Sequence, residues 1–200
     1  MTDKTQRSVI STTKLVKVAI LGAMAYLLLF IQIPLPFAPP FMKVDLGDVP
    51  ALIGGFALGP VAGVAVEFIK CLLNLTKTTT AGVGELSNFI VGSIFIIVSS
   101  VIYRRNKTMR TAIIAMAVGL ICMTAAATLS NAFVIFPLYG KIMGIPMSAF
   151  VEMTSGLNSF VTSYFTLMIA AVVPFNLCKG IIELSVTTIL YKKVSPILKR

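Results

Sequence analysis

The sequence predicts an all-α membrane protein of six transmembrane helices with the N- and C-termini cytoplasmic. Three observations lead there. Of 200 residues, 57% are hydrophobic and only 12% charged, with a mean hydropathy of +0.96. A soluble domain carries about 25% charged residues, so this composition belongs in lipid. Apolar runs near the ~20 residues that a bilayer-crossing helix needs recur along the chain. The basic residues fall in three clumps: Lys4, Arg7, Lys14 and Lys17; Arg104, Arg105, Lys107 and Arg110; Lys192, Lys193, Lys199 and Arg200. Each clump borders an apolar run, which is the pattern of cytoplasmic loops rather than of a nucleic-acid surface.

Taken in order, Leu15–Ile33 is the first span, closed by the proline-rich stretch Pro34–Pro40. No small-residue cleavage site ends it, so it reads as a retained helix rather than a signal peptide. Residues 49–75 hold Gly59-Pro60 at their middle. One kinked span would put the second basic clump on the side opposite the first; two short helices turning at Gly59-Pro60 restore both to one side. Proline suits the first turn of a helix, and the residue before it avoids the helical region, so a hairpin of two helices is expected. Leu86–Tyr103 and Thr111–Phe136 are the next two spans. Two further full spans between Leu157 and Leu190 would send the last basic clump outside. The expectation is therefore a final span over Pro174–Tyr191, with Ser159–Val173 as an external or re-entrant helix. No internal repeat is visible, and the chain reads as a single integral membrane domain over residues 1–200.

Absences narrow the chemistry. The chain has no histidine, which removes histidine acid–base catalysis and histidine–metal sites. There is no phosphate-binding loop, so this chain does not itself hydrolyse ATP in the usual way, and no nucleophile elbow or close acidic cluster for a divalent metal. Cys71, Cys122 and Cys178 are far apart in apolar sequence, with neither metal spacing nor a disulfide framework.

Polar groups at membrane depth cost several kcal/mol and are functional candidates by default. Glu67 and Lys70 lie three apart and Lys179 and Glu183 four apart, so each pair can neutralise itself on one helix face. Asn176 and Lys179 share a face just after Pro174, near the external end of their span. Asn88, early in its helix, and Asn131, late in a helix running the other way, reach the same depth. Three asparagines and a lysine at one depth suggest a polar recess opening outward, although each asparagine alone could equally be helix–helix glue. The Lys43–Asp48 segment lies on that outer side, where Asp48 either caps the next helix or belongs to a lid. Ala19, Gly22 and Ala23 give the first helix a small-residue face, suited to packing within the bundle or to a partner subunit.

Five segments in order, Lys43-Val-Asp-Leu-Gly-Asp-Val-Pro-Ala51, Gly59-Pro-Val-Ala-Gly63, Val66-Glu-Phe-Ile-Lys70, Gly84-Glu-Leu-Ser-Asn-Phe89 and Pro174-Phe-Asn-Leu-Cys-Lys-Gly180, together resemble the riboflavin-specific substrate-binding subunit, or S component, of energy-coupling-factor (ECF) vitamin transporters. Gly140–Tyr164 matches little in the resemblance, which leaves the outer loop before the last span unassigned. The resemblance implies a six-helix S-component bundle in a bacterial cytoplasmic membrane. The vitamin would sit near the outer face, covered by the loop after the first helix. A transmembrane coupling subunit and two ATPases would be the partners, with riboflavin as bound substrate and no catalytic cofactor. By the same resemblance Asn176, Lys179 and Asn131 contact the flavin, while Leu46, Asp48, Glu85 and Asn88 are further substrate-side residues. Ala19 and Ala23 would meet the coupling subunit. An S component for another vitamin, a small membrane enzyme and a ligand-free scaffold are the competing readings.

Overall fold

The computed structural model describes residues 11–199, with residues 192 and 194–199 as backbone; Lys4, Arg7 and Arg200 of the basic clumps lie outside the described residues. The helices are α1 (Thr12–Leu28), α2 (Asp48–Leu58), α3 (Pro60–Asn74), α4 (Val83–Arg105), α5 (Met109–Ser130), α6 (Phe136–Met143), α7 (Met147–Ser155), α8 (Tyr164–Leu167) and α9 (Val173–Lys199). Two-residue strands β1 (Ile33–Pro34) and β2 (Lys43–Val44) pair antiparallel in the loop after α1. Helices α4, the continuous stretch Met109–Met143, and Tyr164–Tyr191 are long and apolar enough to cross a membrane. The outward faces carry Leu15, Ile20, Leu27, Ile121, Phe133 and Ile189, all exposed. So many large apolar side chains would not stand in water, and lipid is their natural neighbour.

The hairpin expected at Gly59-Pro60 is present. Gly59 adopts φ +104°, a left-handed value that a Cβ would strain, and Pro60 opens α3 at its first position, where a missing N–H costs nothing. The turn shares one end of the bundle with Lys14, Arg104 and Lys107. Tyr191 reaches that same end, its hydroxyl hydrogen-bonded to that of Tyr103. One end of the molecule is thus basic. Helix α2 has 11 residues, about 16 Å at 1.5 Å per residue, and is buried from Asp48 to Phe56. It runs from the basic end only to mid-depth, packed by α1, α3, α4 and α9. Its polar N-terminal end therefore lies inside protein rather than lipid, as backbone at membrane depth requires.

The expected break at Pro174 is not there. The chain is helical from Tyr164 onward, and Ser159–Val173 is not a separate external helix. Instead of breaking, the helix widens into a π turn over Met168–Val172, where the Val173 N–H reaches back five residues to Met168 O. The Ala170 carbonyl, four residues before Pro174 and denied its N–H, accepts from Asn158 Nδ2 at 3.0 Å. A supplied donor removes the reason for the helix to stop. A second π turn, Asn131–Ile135, precedes Pro137 and carries α5 into α6 beyond the expected end at Phe136. Five residues before Pro137, the Ala132 carbonyl accepts from the Tyr164 hydroxyl at 2.7 Å. The two π turns pack against each other. The 140–164 stretch, left unassigned by the resemblance, forms the end of α6, α7 and the turn into α8.

Candidate functional site

The polar residues below the loop divide into two layers. The deeper is a closed charge network joining the β2–α2 segment, α3 and α9. Lys70 pairs with Asp48 and with Glu67 at 2.7 Å; Lys179 lies 3.1 Å from Asp48 and 3.6 Å from both Asp45 and Glu183. All six side chains are at most 5% exposed. Four carboxyls thus face two ammoniums. Glu183 accepts no hydrogen bond at either oxygen, and Glu67 none at Oε2. Asp45 also accepts from the Gly47 N–H at 2.8 Å, which folds the loop tightly into α2. Asp48 does not cap α2: Gly47 stands at the cap position, and the Asp48 carboxylate turns inward to both lysines. Two buried ammoniums offer it more than solvent-free backbone N–H groups would.

The shallower layer is open. A cavity of about 90 Å³ is lined by Asn88 of α4, Asn131 at the first π turn, Asn176 and Lys179 of α9, and the rings of Phe41, Tyr139 and Phe175. It adjoins a larger one of about 420 Å³ under the loop after α1, with which it shares Phe41, Lys43, Gly84, Asn88 and Tyr139. Gln32, Asn74, Thr80 and Glu85 add polar wall there. The loop is held down by an aromatic cluster: Phe41 meets Tyr139 at 5.3 Å between centroids and Phe136 and Phe150 at 5.9 Å. Glu85 ties the α3–α4 loop in place, accepting from Asn74 at 2.8 Å and Thr78 at 2.9 Å.

The two buried asparagines are oriented by their helices. Asn131 Nδ2 donates to Ala127 O at 2.7 Å and Asn176 Nδ2 to Val172 O at 2.8 Å. A carbonyl acceptor fixes which end of each amide points back, so Oδ1 and the second N–H are left to meet a ligand. Asn131 opens one π turn and Asn176 lies one helical turn past the other, and widening a helix re-aims side chains and exposes backbone carbonyls.

Residues 13–191 match the family model described as the substrate-specific component of ECF transporters. The chain belongs to that family. Among relatives of this S component, a riboflavin transporter RibU of Staphylococcus aureus (strain TCH60) is 32% identical over 94% of this chain and 93% of its own length. A riboflavin transporter FmnP of Bacillus subtilis (strain 168) is 31% identical over 92% of each. A solved structure of the S component of a bacterial ECF transporter superposes with a TM-score of 0.74 at 32% identity, covering 94% of this chain and 98% of that one. The chain is therefore a multi-pass integral membrane protein of the S-component fold.

Of the residues singled out in the S component's sequence, Asn88, Asn131, Asn176 and Lys179 come together at one cavity. Glu85 lines the adjoining one. Asp48 lies in the charge network beneath, and Leu46 is half-buried in the loop; neither lines either cavity. Ala19 and Ala23 face outward from α1, whereas Gly22 packs inward, with Ile69 filling the space where a Cβ would stand. Packing within the bundle thus accounts for Gly22 and leaves the two alanines free. Sequence reasoning passed over Phe41, Tyr139 and Phe175. The signal lay in the prolines: Pro137 and Pro174 each follow a stretch that must widen, and Tyr139 and Phe175 sit within two residues of them.

Proposed function

We propose that this S component captures riboflavin at the end of the bundle opposite its basic surface and hands it to partner subunits for uptake. The observation that carries the reading is the convergence of three asparagines and one lysine, from helices distant in sequence, on a cavity walled by Phe41, Tyr139 and Phe175. Riboflavin matches that chemistry. Its flat ring wants aromatic faces, while its ring carbonyls, ring N–H and hydroxylated tail want fixed donors and acceptors. Asn131 and Asn176 present acceptors, Lys179 is a donor to a ring carbonyl, and the larger cavity has room and polar wall for the tail. The names of the RibU and FmnP relatives support the same substrate.

On this reading Asn88, Asn131, Asn176 and Lys179 contact the vitamin. Glu85 braces the wall through the α3–α4 loop, Asp48 acts through Lys179, and Leu46 belongs to the covering loop. Ala19 and Ala23 form a face on which a membrane coupling subunit packs closely, and two ATPases bound to that subunit supply the energy, in the cytoplasmic membrane of a bacterium. The chain then does no catalysis of its own. The test is direct. Protein purified from riboflavin-grown cells should be yellow and release a pigment with flavin fluorescence on denaturation. A colourless preparation that leaves the fluorescence of added riboflavin unquenched overturns the substrate assignment, and quenching by a different vitamin transfers the site to it.

A further inference from the structure

The basic end of the bundle holds a cavity that riboflavin capture does not use. About 270 Å³ in volume, it is bounded by Lys14 of α1, the turn from Phe56 to Val61, Arg104 of α4 and Lys107 in the loop that follows. Three cations from separate elements thus border one hollow. None has an ion-pair partner among the described residues; the buried ion pairs there involve Lys70 and Lys179. The described carboxyls explain why: Asp45, Asp48, Glu67 and Glu183 are spent in the buried network, Glu85 lines the cavity under the loop at the far end, and Glu152 sits on α7, which packs against α8. Helix α3 begins in the cavity wall at Pro60 and adds the positive end of its dipole, with the Gly59 turn leaving open space before it.

The surroundings select the kind of anion. Val61, on the cavity's lip, is 82% exposed, and Ile97 and Val101 lie exposed seven and three residues before Arg104, on the same α4 face. An apolar track therefore leads along the bundle to a cationic hollow at its end. Inorganic phosphate has no use for such a track; a phospholipid does. We propose that this cavity seats the phosphate of an anionic phospholipid, held by Lys14, Arg104 and Lys107, with an acyl chain lying against Val61, Ile97 and Val101. The site anchors the S component in the leaflet that meets its basic end, independently of which vitamin it carries.

The test compares lipid retention by the full chain in detergent, measured by native mass spectrometry with equimolar phosphatidylglycerol and phosphatidylcholine. Wild type should keep one phosphatidylglycerol in preference. Arg104→Gln with Lys107→Gln should cut that preference roughly tenfold to thirtyfold, the effect of two cations at an anionic surface. Arg105→Gln with Arg110→Gln removes two equally exposed charges from the same end but outside the cavity, and should leave the preference intact. Equal losses in the two double variants would reduce the effect to diffuse attraction and overturn the site. So would wild type holding both lipids alike. Displacement of the lipid by millimolar inorganic phosphate would overturn the lipid assignment in favour of a free anion. An unchanged melting temperature in each variant shows that the fold is intact.

Discussion

Lys70 is the side chain on which the buried charge network turns, and replacing it tests the network directly. It is fully buried on α3, in direct contact with Asp48 and 2.7 Å from Glu67. Lys70→Met keeps the stem and removes the charge, leaving four carboxyls to face the single ammonium of Lys179. Breaking a buried pair by deleting one partner costs about 3–5 kcal/mol, because the stranded charge has no water to turn to. For a chain of this size that corresponds to a melting temperature lower by roughly 6–20 °C. Glu183→Gln is the contrasting change in the same network. Both Glu183 oxygens already lack hydrogen bonds and its nearest ammonium stands 3.6 Å away, so an amide of equal shape should cost within about 1 kcal/mol. Adding Glu67→Gln to Lys70→Met should recover part of the loss by removing one stranded carboxylate. The assay is thermal unfolding in detergent followed by a thiol-reactive fluorophore, with buried Cys71 as the reporter. A Lys70→Met protein that melts with wild type, or a Glu183→Gln protein that falls as far as Lys70→Met, would refute the charge accounting.

Four further outcomes follow from the site and its supports. Asn176→Ala should weaken riboflavin binding by roughly 1–3 kcal/mol in a fluorescence-quenching titration, since a ligand group is left unpaired; equal affinity would move the pocket elsewhere. Lys179→Ala should lose comparable affinity and also melt earlier, because Lys179 belongs to both the cavity and the charge network. Asn158→Ala strips the Ala170 carbonyl of its donor and should cost about 1–3 kcal/mol of stability. Restoring an N–H with Pro174→Ala in the same chain should recover much of that, and no recovery would discard the account of the π turn. Ala19→Phe or Ala23→Phe should spare riboflavin binding yet stop uptake in cells carrying the partner subunits; normal uptake would remove α1 as the docking face.

Much of this architecture was written in composition and charge. The order of residues alone places the chain in lipid, because 57% apolar residues with clustered cations admit no other solvent. It also determined the α2–α3 hairpin, because Gly59-Pro60 combines a residue free to take positive φ with one that starts a helix, and the charge rule required the turn. The pairings Glu67–Lys70 and Lys179–Glu183 were legible too, since helical spacing brings such neighbours together. Where long-range partners meet was settled by packing alone. That Asp48 serves Lys70 and Lys179 rather than its own helix end depends on α3 and α9 closing around α2, which local spacing does not encode. Pro174 reads locally as a break, yet Asn158 and the π turn make it a continuation, because a donor twelve residues before the stranded Ala170 carbonyl satisfies it. The same closure brings Phe41, Tyr139 and Phe175 to the asparagines. Local rules state what a segment prefers; packing states which unsatisfied group finds its partner, and at this site the second statement placed the cavity.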